Sequence, residues 1–138
     1  MHRILVYGLQ SSGASLTAFL LGQKSDSVVI PDILHDKIAP GLEKIDSGVN
    51  RVIAKCTITS IYSLDEHESK FNPDKTILLL RDPGINYVSL DRKEHRDMGG
   101  SIEEKFRLLE TYFQNRDRFD AVVRYEDLIF RPSRLIET

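Results

Sequence analysis

Cysteine is nearly absent: Cys56 stands alone in 138 residues. That excludes an intrachain disulfide and a cysteine-based zinc cluster. With Val52, Ile53 and Ala54 beside it, Cys56 reads as a buried structural thiol rather than a nucleophile. No apolar run reaches the roughly 18 residues that a transmembrane helix needs. Met1-His2-Arg3 leads straight into a strand-like run, without the h-region and cleavage pattern of a secretory signal. Together these absences make a cytoplasmic protein the expectation. A strong charge of one sign is also missing, because 19 Lys and Arg face 21 Asp and Glu. The formal net charge of -2 therefore supports neither a nucleic acid nor a membrane surface as partner, although a local basic cleft stays open.

What is there has the composition of an ordinary globular chain, 41% hydrophobic and 29% charged, and the length of one domain with its own core. The most informative stretch runs from Ile4 to Ser15. Four apolar residues without alternation are followed by the turn Gly8-Leu9-Gln10-Ser11-Ser12-Gly13 and then by a helical pattern. Leu16, Phe19 and Leu20 are expected to form that helix's buried stripe. A strand feeding a Gly/Ser turn and a helix N-terminus offers backbone N–H groups to a phosphate or sulfate. Gly8-x4-Gly13 has the spacing of a P-loop, but Ala14 stands where the Walker lysine belongs.

Further strands are expected at Val28 to Ile30, Val52 to Ala54, Thr76 to Leu80 and Phe119 to Val123. The run Ile77 to Leu80 has no alternation, as a parallel strand covered on both faces requires. Asp82 caps and Pro83 opens a helix whose Ile85, Val88 and Leu90 would face the sheet, with Asp91 to Asp97 carrying it into solvent. Ser101 to Glu104 has the spacing of a capping box, and Ile102, Phe106, Leu109 and Phe113 follow as an amphipathic stripe. Thr57 to Leu64 reads as a turn and short helix, and Asp65 to Lys75 as a surface connection. Leu42 and Ile45 suggest a further short helix, and Pro132 starts another. Alternating strands and helices imply a three-layer α/β/α fold with a mainly parallel sheet. Ligands gather at the C-terminal strand ends of such folds, where Gln10–Ser15, Arg81–Ser89 and Arg124–Asp127 all fall.

Three of these stretches together resemble the sulfotransferase family, P-loop-like enzymes that use 3′-phosphoadenosine-5′-phosphosulfate (PAPS). Gln10-Ser11-Ser12-Gly13-Ala14-Ser15-Leu16 is similar to that family's 5′-phosphosulfate loop. Arg81, with Ser89 on the next helix, matches its 3′-phosphate pair. Arg124-Tyr125-Glu126-Asp127-Leu128, followed by Pro132, is similar to its Arg-Tyr-Glu-Asp-Leu-x3-Pro stretch. The resemblance implies the P-loop-like sulfotransferase fold, with PAPS or its product adenosine 3′,5′-bisphosphate (PAP) held by Ser11, Ser12, Gly13, Ala14, Ser15, Arg81 and Ser89, and no metal. It implies sulfate transfer to a hydroxyl or amine of a small-molecule or glycan acceptor. Glu126 and Tyr125 read as a structural latch.

The chain departs from that pattern in three places. Ser11 replaces the loop cation, which leaves Lys55 as the candidate to reach over from the neighbouring strand. Lys55-Cys56-Thr57 has no histidine where many members carry their base, so the base would come from His35, Asp36, Glu43 or His67, with His35 foremost. Family domains are also much longer and end in a Gly-rich basic loop. The expectation is thus a single, short or truncated sulfotransferase-like domain over residues 1–138. The apolar faces left open by a helix cut short at Thr138 would suit a homodimer. Two readings compete with enzymatic sulfate transfer: an inactive nucleotide-binding or interaction module, and a small-molecule P-loop kinase relative. Against the kinase stand the missing Walker lysine and the lack of an acidic magnesium ligand in the kinase pattern, for which only Asp32 offers itself by position.

Overall fold

Five parallel strands lie in the order β2-β3-β1-β4-β5. They are β1 (His2–Gly8), β2 (Ser27–Ile30), β3 (Arg51–Thr57), β4 (Lys75–Leu80) and β5 (Ala121–Arg124). The structure, a computed structural model, describes residues 1–30 and 48–130. His35, Asp32, Asp36, Glu43, the helix expected around Leu42 and Ile45, and the segment opened by Pro132 lie outside the described residues. Among the described residues the α-helices are α1 (Ala14–Leu21), α2 (Leu64–Phe71), α3 (Pro83–Asp91), α4 (Ile102–Gln114) and α5 (Tyr125–Phe130).

The unalternating apolar runs are explained by burial on both faces. Successive strand side chains point to opposite sides. Leu5, Tyr7, Val52, Ala54, Cys56 and Leu78 enter one apolar cluster, with Leu64 and Phe71 of α2 and the half-buried Phe106, Leu109 and Tyr112 of α4. Ile4, Val6, Ile53, Ile77 and Leu79 enter the other, with Ala14 and Ala18 of α1 and Leu128 of α5. The result is a three-layer α/β/α fold with a parallel sheet.

Four local expectations change. Helix α1 turns Ala14, Thr17 and Ala18 to the sheet and leaves Leu16 and Phe19 exposed. Close approach to the strands selects small side chains, which a search for large apolar ones misses. No helix forms between Thr57 and Ser63, and the stretch from Leu64 on is no surface connection but α2. Ser63 and Glu66 close its capping box, and Leu64, His67 and Phe71 are buried at helical spacing. On α3 the buried residues are Asn86 and Leu90, while Ile85 and Val88 face solvent. The helix then stops at Asp91, and the charged run becomes a series of turns up to Gly99 and Gly100, both at positive φ. As for the last described elements, the chain passes without a loop from β5 at Arg124 into α5 at Tyr125.

The central strand β1 has β3 on one side and β4 on the other. At such a switch point the loops leaving the C-terminal strand ends diverge and open a crevice. The turn after β1 sits there.

Candidate functional site

The loop from Gly8 to Gly13 is shaped by two left-handed residues, Ser11 at φ 62° and Gly13 at φ 90°. Glycine is needed at both ends. A Cβ on Gly8 would come within 2.7 Å of Ser12 Oγ and 2.9 Å of Leu79 Cβ, and one on Gly13 would run into the Tyr125 ring. The loop carbonyls are drawn into the protein. The Ser12 N–H donates to Leu9 O (3.2 Å), Asn86 Nδ2 to Gln10 O (2.9 Å), Arg81 Nη1 to Ser11 O (2.8 Å) and Thr17 Oγ1 to Gly13 O (2.9 Å). With those oxygens occupied, what remains for a ligand is donors. The first-turn N–H groups of a helix have no intrahelical acceptor, and no side chain caps α1. The hydroxyls of Ser11 and Ser12 are buried without a protein partner, which in a folded protein calls for an explanation.

A cleft of about 430 Å³ opens over this loop. Gln10, Ser11, Gly13, Ala14 and Ser15 line one side, Lys55 and Thr57 at the end of β3 a second, and Lys93, Glu94 and His95 a third. The volume falls within the range of small-molecule sites. Lys55 and Lys93 set two cationic side chains, and Glu94 one carboxylate, beside that donor-rich loop, and a loop of free N–H donors with cations near it is suited to an anion.

The residues expected from sequence separate into three groups. Ser11, Gly13, Ala14, Ser15 and Lys55 line the cleft, with Ser12 buried beneath it. Arg81 and Ser89 line a neighbouring cleft of about 530 Å³ together with Arg92. There Arg81 is already engaged, since it holds the Ser11 carbonyl and stacks 4.4 Å from the centre of the Tyr125 ring. His35 lies outside the described residues. His67, the other histidine considered, is buried between the rings of Tyr7 and Tyr62 and does not line the cleft. Glu126 accepts from the Asp82 N–H at 2.8 Å, and Asp82 in turn caps α3 by accepting from the Ile85 N–H at 3.0 Å. Lys93, Glu94 and His95 escape sequence reasoning. Their charge run looks like a solvated helix end, and only the turn after Asp91 brings them back over the loop.

No family model matches the chain, and no curated protein does. Among solved structures it is similar to a shikimate kinase from Bacteroides thetaiotaomicron, with 15% identity, a TM-score of 0.56 and 99% of each chain covered. It is also similar to a sugar kinase from Janibacter sp. HTCC2649, with 14% identity and a TM-score of 0.58, over 99% of this chain and 91% of that one. At these identities the likeness shows the fold alone, the three-layer α/β/α architecture with a parallel sheet that both kinases share.

That finding overturns the sulfotransferase resemblance, and with it the sulfotransferase fold name, the PAPS or PAP cofactor and the sulfate-transfer chemistry. The physical reason lies in what the resembling residues do. Arg81, Tyr125 and Glu126 brace the Gly8–Gly13 loop and the start of α3. A strand–loop–helix cradle needs such support whatever anion it holds.

Proposed function

We propose that the chain is a small-molecule P-loop kinase relative whose loop cleft holds the phosphates of a nucleoside triphosphate. The observation that carries this reading is the convergence, in one cleft, of the Gly8–Ser15 donor loop with Lys55 and Lys93. Ala14 replaces the Walker lysine, so the positive charge on the phosphates falls to lysines from β3 and from the segment after α3. Where magnesium arrives with the nucleotide, Ser15 and Glu94 are lining side chains with oxygen donors suited to it. In kinase chemistry of this kind, catalysis is largely positioning and charge stabilisation around the transferred phosphoryl group. Lys55 and Lys93 would do that work here.

Calorimetric binding of ATP and of inorganic triphosphate tests the reading. Lys55→Ala and Lys93→Ala are each expected to weaken both ligands about tenfold or more, the worth of one charge-assisted contact. No measurable binding by the wild type, or a preference for adenosine 3′,5′-bisphosphate over ATP, would overturn it.

A second reading, a binding module of the same fold without turnover, is favoured by Ala14 in the lysine position. ADP release in the presence of a panel of hydroxylated small molecules decides between the two. Acceptor-dependent release supports the kinase, and binding without release supports the module.

A further inference from the structure

A lysine with none of its surface exposed sits in the first turn of α4. Burying an ammonium is costly unless its donors are satisfied, and burial pulls the Lys105 pKa below the usual lysine range while nearby Asp97 opposes the shift. The Lys105 ammonium has two acceptors on different parts of the chain: Gln10 Oε1 at 3.2 Å and the Arg96 carbonyl at 2.8 Å. Gln10 belongs to the phosphate loop and lines the cleft. Arg96 follows directly on Lys93, Glu94 and His95, which form the cleft's opposite wall. The hydrogen bonds within that wall are short local turns, from Lys93 N–H to Leu90 O, Arg96 N–H to Lys93 O and Met98 N–H to His95 O. At its far end Ser60 holds the Gly99 carbonyl by backbone and side chain, at 2.7 and 2.9 Å. Among these contacts, only the ammonium joins the wall to the loop.

We propose that Lys105 is a positioning residue for the phosphate cleft, a buried cross-brace that holds the loop through Gln10 against the Lys93-bearing segment through the Arg96 carbonyl. The proposal rests on the nucleotide reading for what the cleft binds, and on geometry alone for the brace. Lys105 touches no ligand. It sets the distance between the loop's donors and the cation that faces them, and a displacement of an ångström at such a site is enough to weaken it.

The test is amide hydrogen exchange of the ligand-free protein, followed by triphosphate binding, in Lys105→Met, Gln10→Leu and the double variant. Lys105→Met keeps the unbranched stem as far as the ε position and removes the ammonium. It is expected to speed exchange over residues 92–98 about tenfold or more, and to weaken inorganic triphosphate by a similar factor. Gln10→Leu is expected to weaken triphosphate as well, and the double variant no more than the worse single one, because both break the same brace. Affinity losses that multiply in the double variant, or unchanged exchange in Lys105→Met, would overturn the brace. If Lys105→Met does not fold, faster exchange over residues 9–13 in Gln10→Leu supports the brace and unchanged exchange overturns it. A wild type that binds no triphosphate sinks the nucleotide reading and leaves the brace to be judged by exchange.

Discussion

The ring of Tyr125 lies against Gly13 so closely that a Cβ on the glycine would enter it, while the same ring carries the Arg81 guanidinium 4.4 Å from its centre. A residue at the start of α5 thus fixes the backbone of the Gly8–Gly13 loop, at the far end of the sequence. Gly13→Ala is expected to destabilise by about 2–4 kcal/mol, combining a strained left-handed backbone with overpacking. Denaturant unfolding measures it. In a cycle with Tyr125→Ala the losses should fail to add, because removing the ring relieves the clash and leaves only the backbone strain.

Asn86 turns its amide inward from α3 and donates to the Gln10 carbonyl at 2.9 Å. Asn86→Leu leaves that carbonyl without its donor, at an expected cost of about 1–3 kcal/mol in unfolding free energy. On the proposed nucleotide reading it should weaken triphosphate binding too, since a released carbonyl oxygen repels an anion at the loop.

Helix α2 depends on its first turn. The Ser63 hydroxyl accepts from the Glu66 N–H at 3.2 Å, and the Glu66 carboxylate accepts from the Ser63 N–H at 3.3 Å. Ser63→Ala is expected to cost about 1 kcal/mol by chemical denaturation. The effect on triphosphate affinity should be negligible, because α2 packs on the sheet away from the cleft.

Tyr7 is buried in the central strand, and burial, followed by the neighbouring Tyr112, pushes its phenol well above the usual tyrosine range. Unfolded tyrosine ionises near pH 10, while the folded phenol keeps its proton. The stability this contributes is fully present below about pH 10 and is lost as pH rises further, by about 1.4 kcal/mol per pH unit. Wild type should therefore fall in stability more steeply than Tyr7→Phe above pH 10, as read from denaturation midpoints. The two curves should run parallel between pH 7 and 9.

The sheet is largely legible in the sequence because a strand covered on both faces declares itself by an unbroken apolar run, as in Ile4–Tyr7 and Ile77–Leu80. The loop is legible because Gly8 and Gly13 carry constraints that no other residue meets at that spacing. Helix faces are harder to read. Periodicity finds Leu16 and Phe19, but the close approach of α1 to the strands admits only Ala14, Thr17 and Ala18. Helix α2 had a signal in Ser63-x-x-Glu66, outweighed by the polar residues around it. Lys93 and Lys105 could not be read at all. One depends on a turn after Asp91, and the other is a charge inside a helix face that would ordinarily be apolar. The sulfotransferase resemblance misled for a related reason: Arg81 and Tyr125 are shaped by the loop they support, and support does not name the ligand.

The order of the sheet has a consequence for how the chain is made. β1 pairs with residues 51–57 on one side and with residues 75–78 on the other. It leaves the ribosome before either neighbour exists. Until Arg51–Thr57 emerges, the central strand of the sheet has two open edges, and until Lys75–Leu80 follows it still has one. Open apolar edges recruit other chains. The strand that leads into the Gly8–Gly13 loop therefore waits for both of its partners during synthesis, with an edge open to other chains until Lys75–Leu80 has been made.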